Sequence, residues 1–183
     1  MRLFTAIDLP ADVLRNLEGL LARLRPTARM KWSPLENLHI TTKFIGEWPS
    51  ERLNEMEAAL AAVPRPDPFP VALRGLGFFP NPHAPRVFWV GVEASPALAE
   101  LARRTDLALA ELGVPSEARP FSPHLTLARI KEPVPLTGLR EAISRLESLD
   151  FGAFQADRFV LYRSELRPGG SVYTKLTEFP FHP

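Results

Sequence analysis

Two short apolar segments, each with a histidine and a threonine two residues apart, constrain this chain more than any other feature of its sequence. The first segment contains His39 and Thr41, and the second contains His124 and Thr126. In a β-strand, residues i and i+2 point to the same face, so each segment presents an imidazole and a hydroxyl side by side. Two such strands predict a pair that face each other, with two histidines and two hydroxyls around one pocket.

The elements around the two segments recur in the same order and at nearly the same spacing. A strand begins 37 residues before His39 and 38 residues before His124, and another strand begins 30 residues after each histidine. This shared register indicates an internal repeat. We therefore expect a single bilobed domain over residues 1–183, with repeat 1 at about 1–80, repeat 2 at about 86–166 and a closing strand at 171–179.

Each half follows the order strand, helix, strand, helix, strand. This order predicts an α+β fold, a pseudo-twofold duplication whose largely antiparallel sheets flank a central cleft. We expect the closing strand to pair in the N-terminal lobe. The predicted strands cover residues 2–8, 38–45, 69–79, 86–93, 124–130, 154–166 and 171–179. Helical spacing of leucines predicts helices in four stretches, at about 11–25, 51–63, 96–112 and 139–149.

The composition excludes several classes of protein. The chain has no cysteine, which excludes disulfides, thiolate zinc sites and cysteine nucleophiles, and suits a cytoplasmic protein. A net charge of +1 excludes nonspecific coating of nucleic acid by a polycation. Apolar runs are all too short for a spanning helix, so we expect no membrane partner. We also expect a monomer with no obligate protein partner, because the repeat supplies both halves of the pocket.

Paired histidines suit a reaction that removes one proton and donates another. In-line displacement at phosphorus is such a reaction, since one imidazole can deprotonate the attacking oxygen while the other protonates the leaving oxygen. The hydroxyls of Thr41 and Thr126 can hydrogen-bond the nonbridging phosphoryl oxygens. With four histidines, no cysteine and no acidic cluster beside either segment, we expect no metal and no cofactor.

Charge that builds up on phosphoryl oxygens also needs cations, and three residues are candidates. Lys43 and Arg129 follow the two segments. Arg129 lies on the histidine face only if its strand bends, and each of the two can equally be a solvated flank. Arg119 can enter from the loop before the second segment, and Phe121 in that loop can stack on an unpaired base. Trp32, shortly before the first segment, is also a candidate for stacking on a base, although tryptophans are more often packing residues, and Tyr173 is a lesser candidate.

The two segments, HITT at 39–42 and HLTL at 124–127, resemble the paired H-x-T-x motifs of the two-histidine (2H) phosphoesterase superfamily. Within it, the chain looks like the RNA 2′,3′-cyclic phosphodiesterases, which are also named 2′-5′ RNA ligases. The likeness covers nearly the full length and includes the opening RLFTAID, the RPF before the second motif, and PHLTLAR around it. Thr42 departs from the family pattern, which more often has an aliphatic residue there.

The resemblance implies both a reaction and roles for the motif residues. It implies metal-independent hydrolysis of an RNA terminal 2′,3′-cyclic phosphate to a 2′-phosphomonoester, with reversible 2′-5′ ligation as the reverse reaction. It casts His39 as the proton donor and His124 as the proton acceptor, although the reverse reaction exchanges these roles. Lys43, Arg119, Phe121 and Arg129 remain candidate substrate contacts.

Two other functions are compatible with the same residues. The site can act on small cyclic nucleotides or 2′-5′-linked oligonucleotides instead of RNA ends. The chain can also be an RNA-end binding module without turnover, although binding alone requires no acid–base pair.

Overall fold

Nine strands form two sheets in the computed structural model, which describes residues 1–182. The sheet orders are β3-β1-β8-β9 and β2-β6-β5-β4-β7, and every pairing is antiparallel. The predicted α+β fold with antiparallel sheets is therefore confirmed. In chain order the strands are β1 (Arg2–Ile7), β2 (Lys31–Trp32), β3 (Ile40–Glu47), β4 (Phe69–Phe79), β5 (Val87–Ala94), β6 (His124–Arg129), β7 (Asp150–Ala156), β8 (Arg158–Arg167) and β9 (Gly170–Pro180).

Within the described residues, four α-helices cover the sheets. Their bounds are α1 (Ala11–Leu24), α2 (Leu53–Ala61), α3 (Pro96–Ala110) and α4 (Thr137–Ser144). The start of α3 follows from its sequence, because Ser95 accepts a hydrogen bond from the backbone N–H of Ala97 at 3.3 Å and Pro96 occupies the first helical position. α1 and α4 pack together with α1 against β7, whereas α3 packs against β3 and α2. No helix in residues 1–182 is both long enough and apolar enough to cross a membrane.

The prediction of one long strand over residues 154–166 is wrong. The structure divides this stretch into β7 and β8, which meet at Asp157 and lie in different sheets. β7 pairs with β4, and β8 pairs with β1. No glycine or proline separates β7 from β8. The only signal in the sequence at this point is the polar pair Asp157 and Arg158, so strand propensity alone does not predict the division.

Each sheet contains a strand from the opposite half of the chain. β4 comes from the first 80 residues but lies beside β5, and β8 comes from the second half but lies beside β1. The two sheets then have equivalent strand orders. β3, β1, β8 and β9 of the first sheet correspond in turn to β6, β5, β4 and β7 of the second. We propose that the two repeats exchange these strands. The closing strand β9 pairs with β8 in the sheet of β1, as the prediction of N-terminal pairing requires.

Candidate active site

His39 lies immediately before β3, at the end of a short 3₁₀ turn over residues 35–37. Its Nδ1 lies 2.7 Å from the backbone carbonyl of Asn37, and its Nε2 lies 2.8 Å from the Thr41 hydroxyl. A carbonyl only accepts, so Nδ1 carries a proton and donates it to Asn37. This bond leaves Nε2 as the nitrogen that can accept or donate a proton in a reaction.

His124 is the first residue of β6 and is held in the same way. Its Nδ1 lies 2.9 Å from the carbonyl of Ser122, two residues earlier. The ring meets Phe79 edge-on, with the centroids 4.9 Å apart. Both histidines therefore use Nδ1 for anchoring and keep Nε2 for chemistry, because each bonds the carbonyl two residues before it.

The two histidines and two threonines of the motifs line a single cleft of about 480 Å³. The spacing of the motifs predicted that these four residues share a pocket, and the structure places them around one. Arg129, a candidate cation from the sequence, also lines the cleft. Tyr173, a lesser candidate for stacking, lines it as well. The other side chains of this wall were not predicted from the sequence, and they are Arg2, Phe4, Ser33, Asn37, Phe44, Ser164, Leu166 and Ser171.

A β-bulge brings Arg129 into the cleft. Along the β5–β6 pair, Phe88 lies opposite Ala128 but Trp89 lies opposite Thr126, so Leu127 is an extra residue. The bulge turns both Leu127 and Ala128 into the core, where each is fully buried, and returns Arg129 to the face of Thr126. The bend that the sequence analysis required for Arg129 is present.

A corresponding bulge in β3 brings an aromatic side chain, instead of a cation, to the cleft. Thr5 lies opposite Lys43 but Ala6 lies opposite Thr41, so Thr42 is the extra residue. Thr42 and Lys43 are both buried, and Phe44 reaches the cleft. Phe44 follows His39 by five residues, as Arg129 follows His124. That equal spacing is the signal in the sequence that points to Phe44, which was not among the predicted site residues.

Lys43 does not offer its ammonium group to the cleft. Nζ lies 2.7 Å from Oδ1 of Asp106, 2.9 Å from the carbonyl of Pro115 and 3.2 Å from Oε1 of Glu117. Only 1% of the Lys43 side chain is exposed. All three ammonium donors are used inside the protein, so this geometry corrects the expected substrate contact: Lys43 joins β3 to α3 and to the loop before His124.

Arg119 and Phe121 line a second cavity of about 920 Å³ beside the cleft. Thr41, Phe44 and His124 line both cavities, so the two are adjacent. Arg119 and Phe121 therefore face the neighbouring cavity rather than the cleft itself. Their predicted contact with substrate requires a ligand that extends from one cavity into the other.

Aromatic rings pack against the imidazole of His39. The Phe4 ring stacks on the imidazole with centroids 4.8 Å apart, and Tyr162 stacks on Phe4 at 5.3 Å. Tyr173 meets His39 edge-on at 5.4 Å. The Tyr162 hydroxyl donates a hydrogen bond to Asp8. These contacts fix the plane of the imidazole.

Burial lowers the pKa of His39 below its ordinary value of 6.5. The hydrogen bond to the Asn37 carbonyl and the negative charge of Asp8 oppose this effect, while the positive charge of Arg129 and the neighbouring imidazole of His124 add to it. The protein alone thus favours the neutral imidazole at His39. A bound phosphate would favour the charged form.

Trp32 and His83 lie away from the cleft. Trp32 donates from Nε1 to the Ala28 carbonyl at 3.0 Å and meets Phe88 edge-on at 6.0 Å, so its ring makes packing contacts and does not line the cleft. His83 is exposed in the loop between β4 and β5. In residues 1–182, no three His, Asp or Glu side chains are grouped closely enough to hold a metal ion.

Comparison with known proteins identifies similar chains over the full length. A family model described as the 2′-5′ RNA ligase superfamily matches residues 10–168. The RNA 2′,3′-cyclic phosphodiesterase of Methanothermobacter thermautotrophicus is 34% identical over 181 residues, with 98% of each chain covered. The crystal structure of TT0787 of Thermus thermophilus aligns with a TM-score of 0.83 at 36% identity, covering 99% of this chain and 98% of that one. E. coli LigT complexed with NADP+ aligns with a TM-score of 0.78 at 26% identity, covering 100% and 98%.

Proposed function

The chain belongs to the 2′-5′ RNA ligase superfamily, and from this membership we propose that it is an RNA 2′,3′-cyclic phosphodiesterase whose paired histidines are the acid and base. One observation supports the assignment of the acid and base roles to these two histidines. Both imidazoles are anchored through Nδ1 and line one cleft together with two threonines. This arrangement supports proton removal and proton donation at a single phosphorus atom.

The reaction proceeds by one displacement. Nε2 of His124 takes a proton from water, and the water oxygen attacks phosphorus. The bond from phosphorus to O3′ breaks, and Nε2 of His39 gives its proton to the departing oxygen. The products are a 2′-phosphomonoester and a free 3′-hydroxyl. The Thr126 hydroxyl and the Arg129 guanidinium hold the nonbridging oxygens, whose negative charge is then stabilised by a cation and a donor.

Thr41 has a second task in this proposal. Its hydroxyl lies 2.8 Å from Nε2 of His39, the nitrogen that must deliver the proton. In the free protein the Thr41 hydroxyl is hydrogen-bonded to that nitrogen. When substrate binds, the hydroxyl turns to a phosphoryl oxygen, and Nε2 is released towards the leaving group. The anionic phosphate also raises the pKa of His39, which opposes the effect of burial and favours the imidazolium that a donor requires.

A leaving group that needs no proton tests the order of the two roles. A thiol has a pKa of about 8.5, so sulfur in place of O3′ departs as a thiolate. With His39 as donor, turnover of the 3′-thio substrate is insensitive to His39→Ala and is lost in His124→Ala. Rescue of His124→Ala instead of His39→Ala would reverse the assignment.

The central experiment uses an oligonucleotide that ends in a 2′,3′-cyclic phosphate, with a chelator present. Turnover should leave the phosphate on the 2′-hydroxyl. We expect His39→Ala and His124→Ala each to lower kcat by at least about 100-fold, the effect typical of a lost general acid or base. His83→Ala is the matched control, because it removes an exposed imidazole outside the cleft. Near-normal turnover by either motif variant, or a 3′-phosphate product, would contradict the proposal.

The same experiment separates the enzyme from a binding module. A binding module would retain the cyclic-ended RNA without forming product, and its histidine variants would still bind. Comparison of a cyclic mononucleotide with the oligonucleotide then distinguishes small nucleotides from RNA ends. Ligation is tested by adding an RNA with a 5′-hydroxyl and looking for a 2′-5′ linkage.

The partner in this proposal is the RNA end that carries the cyclic phosphate. One chain supplies both histidines, so the enzyme acts as a monomer without a protein partner. We place it in the cytoplasm, the reducing compartment that its cysteine-free sequence suits.

A further inference from the structure

The larger cavity is lined by one of the two motif histidines and not by the other. His124 lines both this cavity and the cleft, whereas His39 lines the cleft alone. In a displacement at phosphorus, the attacking and leaving oxygens lie roughly in line on opposite sides. In the proposed reaction His39 protonates O3′, so the terminal ribose belongs on the His39 side of the phosphorus. The larger cavity therefore borders the side from which the nucleophile attacks.

The space beside His124 is far larger than a water nucleophile needs. The cavity has a volume of about 920 Å³, whereas a water molecule in the liquid takes up about 30 Å³. Its walls include the apolar side chains of Phe79, Pro80 and Phe121. An organic nucleophile with an apolar ring system therefore fits on this side of the phosphorus.

The acidic side chains of the cavity are already paired. Oδ1 of Asp106 and Oε1 of Glu117 both accept from Nζ of Lys43, at 2.7 and 3.2 Å. Arg103, another residue of the wall, donates to Glu100 at 2.6 Å. These charges satisfy one another, so the remaining cations decide which ligand the open space attracts.

Two guanidinium groups remain available in the cavity. Arg86 and Arg119 line it and are exposed, and neither takes part in an ion pair within residues 1–182. A guanidinium matches the geometry of a phosphate. Cations beside apolar and aromatic walls are the combination that binds single-stranded nucleic acid. The cavity thus suits an RNA segment that can bring a hydroxyl to His124.

We propose that the larger cavity is an acceptor subsite, in which the first nucleotides of a second RNA strand place their 5′-hydroxyl beside His124 in place of water. This inference rests on the proposed function. Nε2 of His124 takes the proton of the 5′-hydroxyl, and O5′ bonds to phosphorus. The bond from phosphorus to O3′ breaks, and Nε2 of His39 gives its proton to O3′. The phosphate stays on O2′, so the product is a 2′-5′ phosphodiester, and no further reactant is consumed.

Ala99 allows the subsite to be altered without touching the cleft. It is an exposed residue of α3 that lines the larger cavity and not the cleft. Ala99→Glu places a negative charge on the wall, and Ala99→Gln is the matched control with nearly the same volume and no charge. Glutamate near the N-terminus of a helix is favourable, so the charged variant should fold.

The first experiment holds a cyclic-ended oligonucleotide constant and increases the concentration of an RNA with a 5′-hydroxyl. The measured quantity is the acceptor concentration that gives half-maximal formation of the 2′-5′ linkage. Ala99→Glu should raise this concentration about 10-fold above that of Ala99→Gln, and Arg86→Gln should raise it about 10-fold above wild type. Hydrolysis of the cyclic end without acceptor should keep its kcat and KM in these variants.

Three results would overturn the proposal. One is a half-saturating acceptor concentration that is unchanged in both Ala99→Glu and Arg86→Gln. Another is an absence of linkage in wild type at every acceptor concentration. The third is a rise in KM for hydrolysis of the cyclic-ended oligonucleotide in both variants, because the cavity would then hold the upstream nucleotides of the same strand.

A binding experiment keeps this inference separate from the proposed function. A 5′-hydroxyl RNA with a fluorophore at its 3′ end is titrated with protein, and excess mononucleotide 2′-phosphate is present to fill the cleft. Fluorescence anisotropy should show binding about 10-fold weaker for Ala99→Glu than for Ala99→Gln. Equal binding by these two variants would refute the acceptor subsite even if cyclic ends are turned over normally. Weaker binding by Ala99→Glu, without any turnover of cyclic ends by wild type, would refute the proposed function alone.

Discussion

Replacing Lys43 by methionine should destabilise the protein, because it removes the only cation from a group of buried polar contacts at β3. The ammonium contacts Asp106 at 2.7 Å, the Pro115 carbonyl at 2.9 Å and Glu117 at 3.2 Å. Methionine has a similar length but no charge and no donors. The variant leaves two carboxylates and a carbonyl facing an apolar side chain, so it loses the attraction without removing the acceptors.

The magnitude follows from the burial of the partners. Breaking a buried ion pair by removing one partner costs about 3–5 kcal/mol. Here the Asp106 and Glu117 side chains are 21% and 54% exposed, so water partly replaces the ammonium. We therefore expect the low end, about 3 kcal/mol in the free energy of unfolding. For a chain of this size, each kcal/mol lowers Tm by about 2–4 °C, which gives a fall of about 6–12 °C.

Thermal and urea unfolding at pH 7 measure this loss. Glu117→Gln is the matched control, because Glu117 is the more exposed partner and an exposed pair contributes about 1 kcal/mol or less. Asp106→Asn should fall between the two variants, since Asp106 also accepts from the backbone N–H of Glu117 at 3.1 Å. A loss below about 1 kcal/mol in Lys43→Met, or an equal loss in Glu117→Gln, would refute the reasoning.

Three further predictions concern the two motif segments and β5, which pairs with the second of them. The buried hydroxyls of Thr5 and Thr42 lie 2.7 Å apart, so Thr42→Val alone should cost about 1–3 kcal/mol while the double valine variant is nearly neutral in urea unfolding; additive costs would contradict the pairing. Burial lowers the pKa of His39, so its contribution to stability is present above pH 6.5 and is lost as pH falls towards the folded-state pKa. Tm should therefore fall less between pH 7 and pH 5 in His39→Gln than in wild type, and an equal fall would refute this. A Cβ at Gly91 would lie 2.3 Å from the carbonyl oxygen of Arg74, so Gly91→Ala should cost about 1–3 kcal/mol in thermal unfolding; an unchanged Tm would contradict it.

The motif residues could be predicted because strand alternation is a local property. His39 and Thr41 share a face whatever β3 pairs with, and the same is true of His124 and Thr126. The repeated spacing then implied that the two strands meet. The start of α3 was equally predictable, since Ser95 and Pro96 are themselves the signal that begins the helix.

The structure decided every feature that depends on partners distant in the chain. Arg129 and Phe44 reach the cleft through bulges, and a bulge is defined by the strand opposite it. Lys43 is buried because Asp106 and Glu117, 63 and 74 residues away, accept from its ammonium group.

The division of residues 154–166 into two strands has the same origin. The two pieces, β7 and β8, separate because β4 and β1 offer edges in different sheets. The sequence by itself determined the chemistry of the two motifs and the side of each strand on which it lies, because those depend on neighbouring residues. The tertiary structure alone decided which cations and rings surround that chemistry, because packing, bulges and ion pairs are made between segments that the chain order keeps apart.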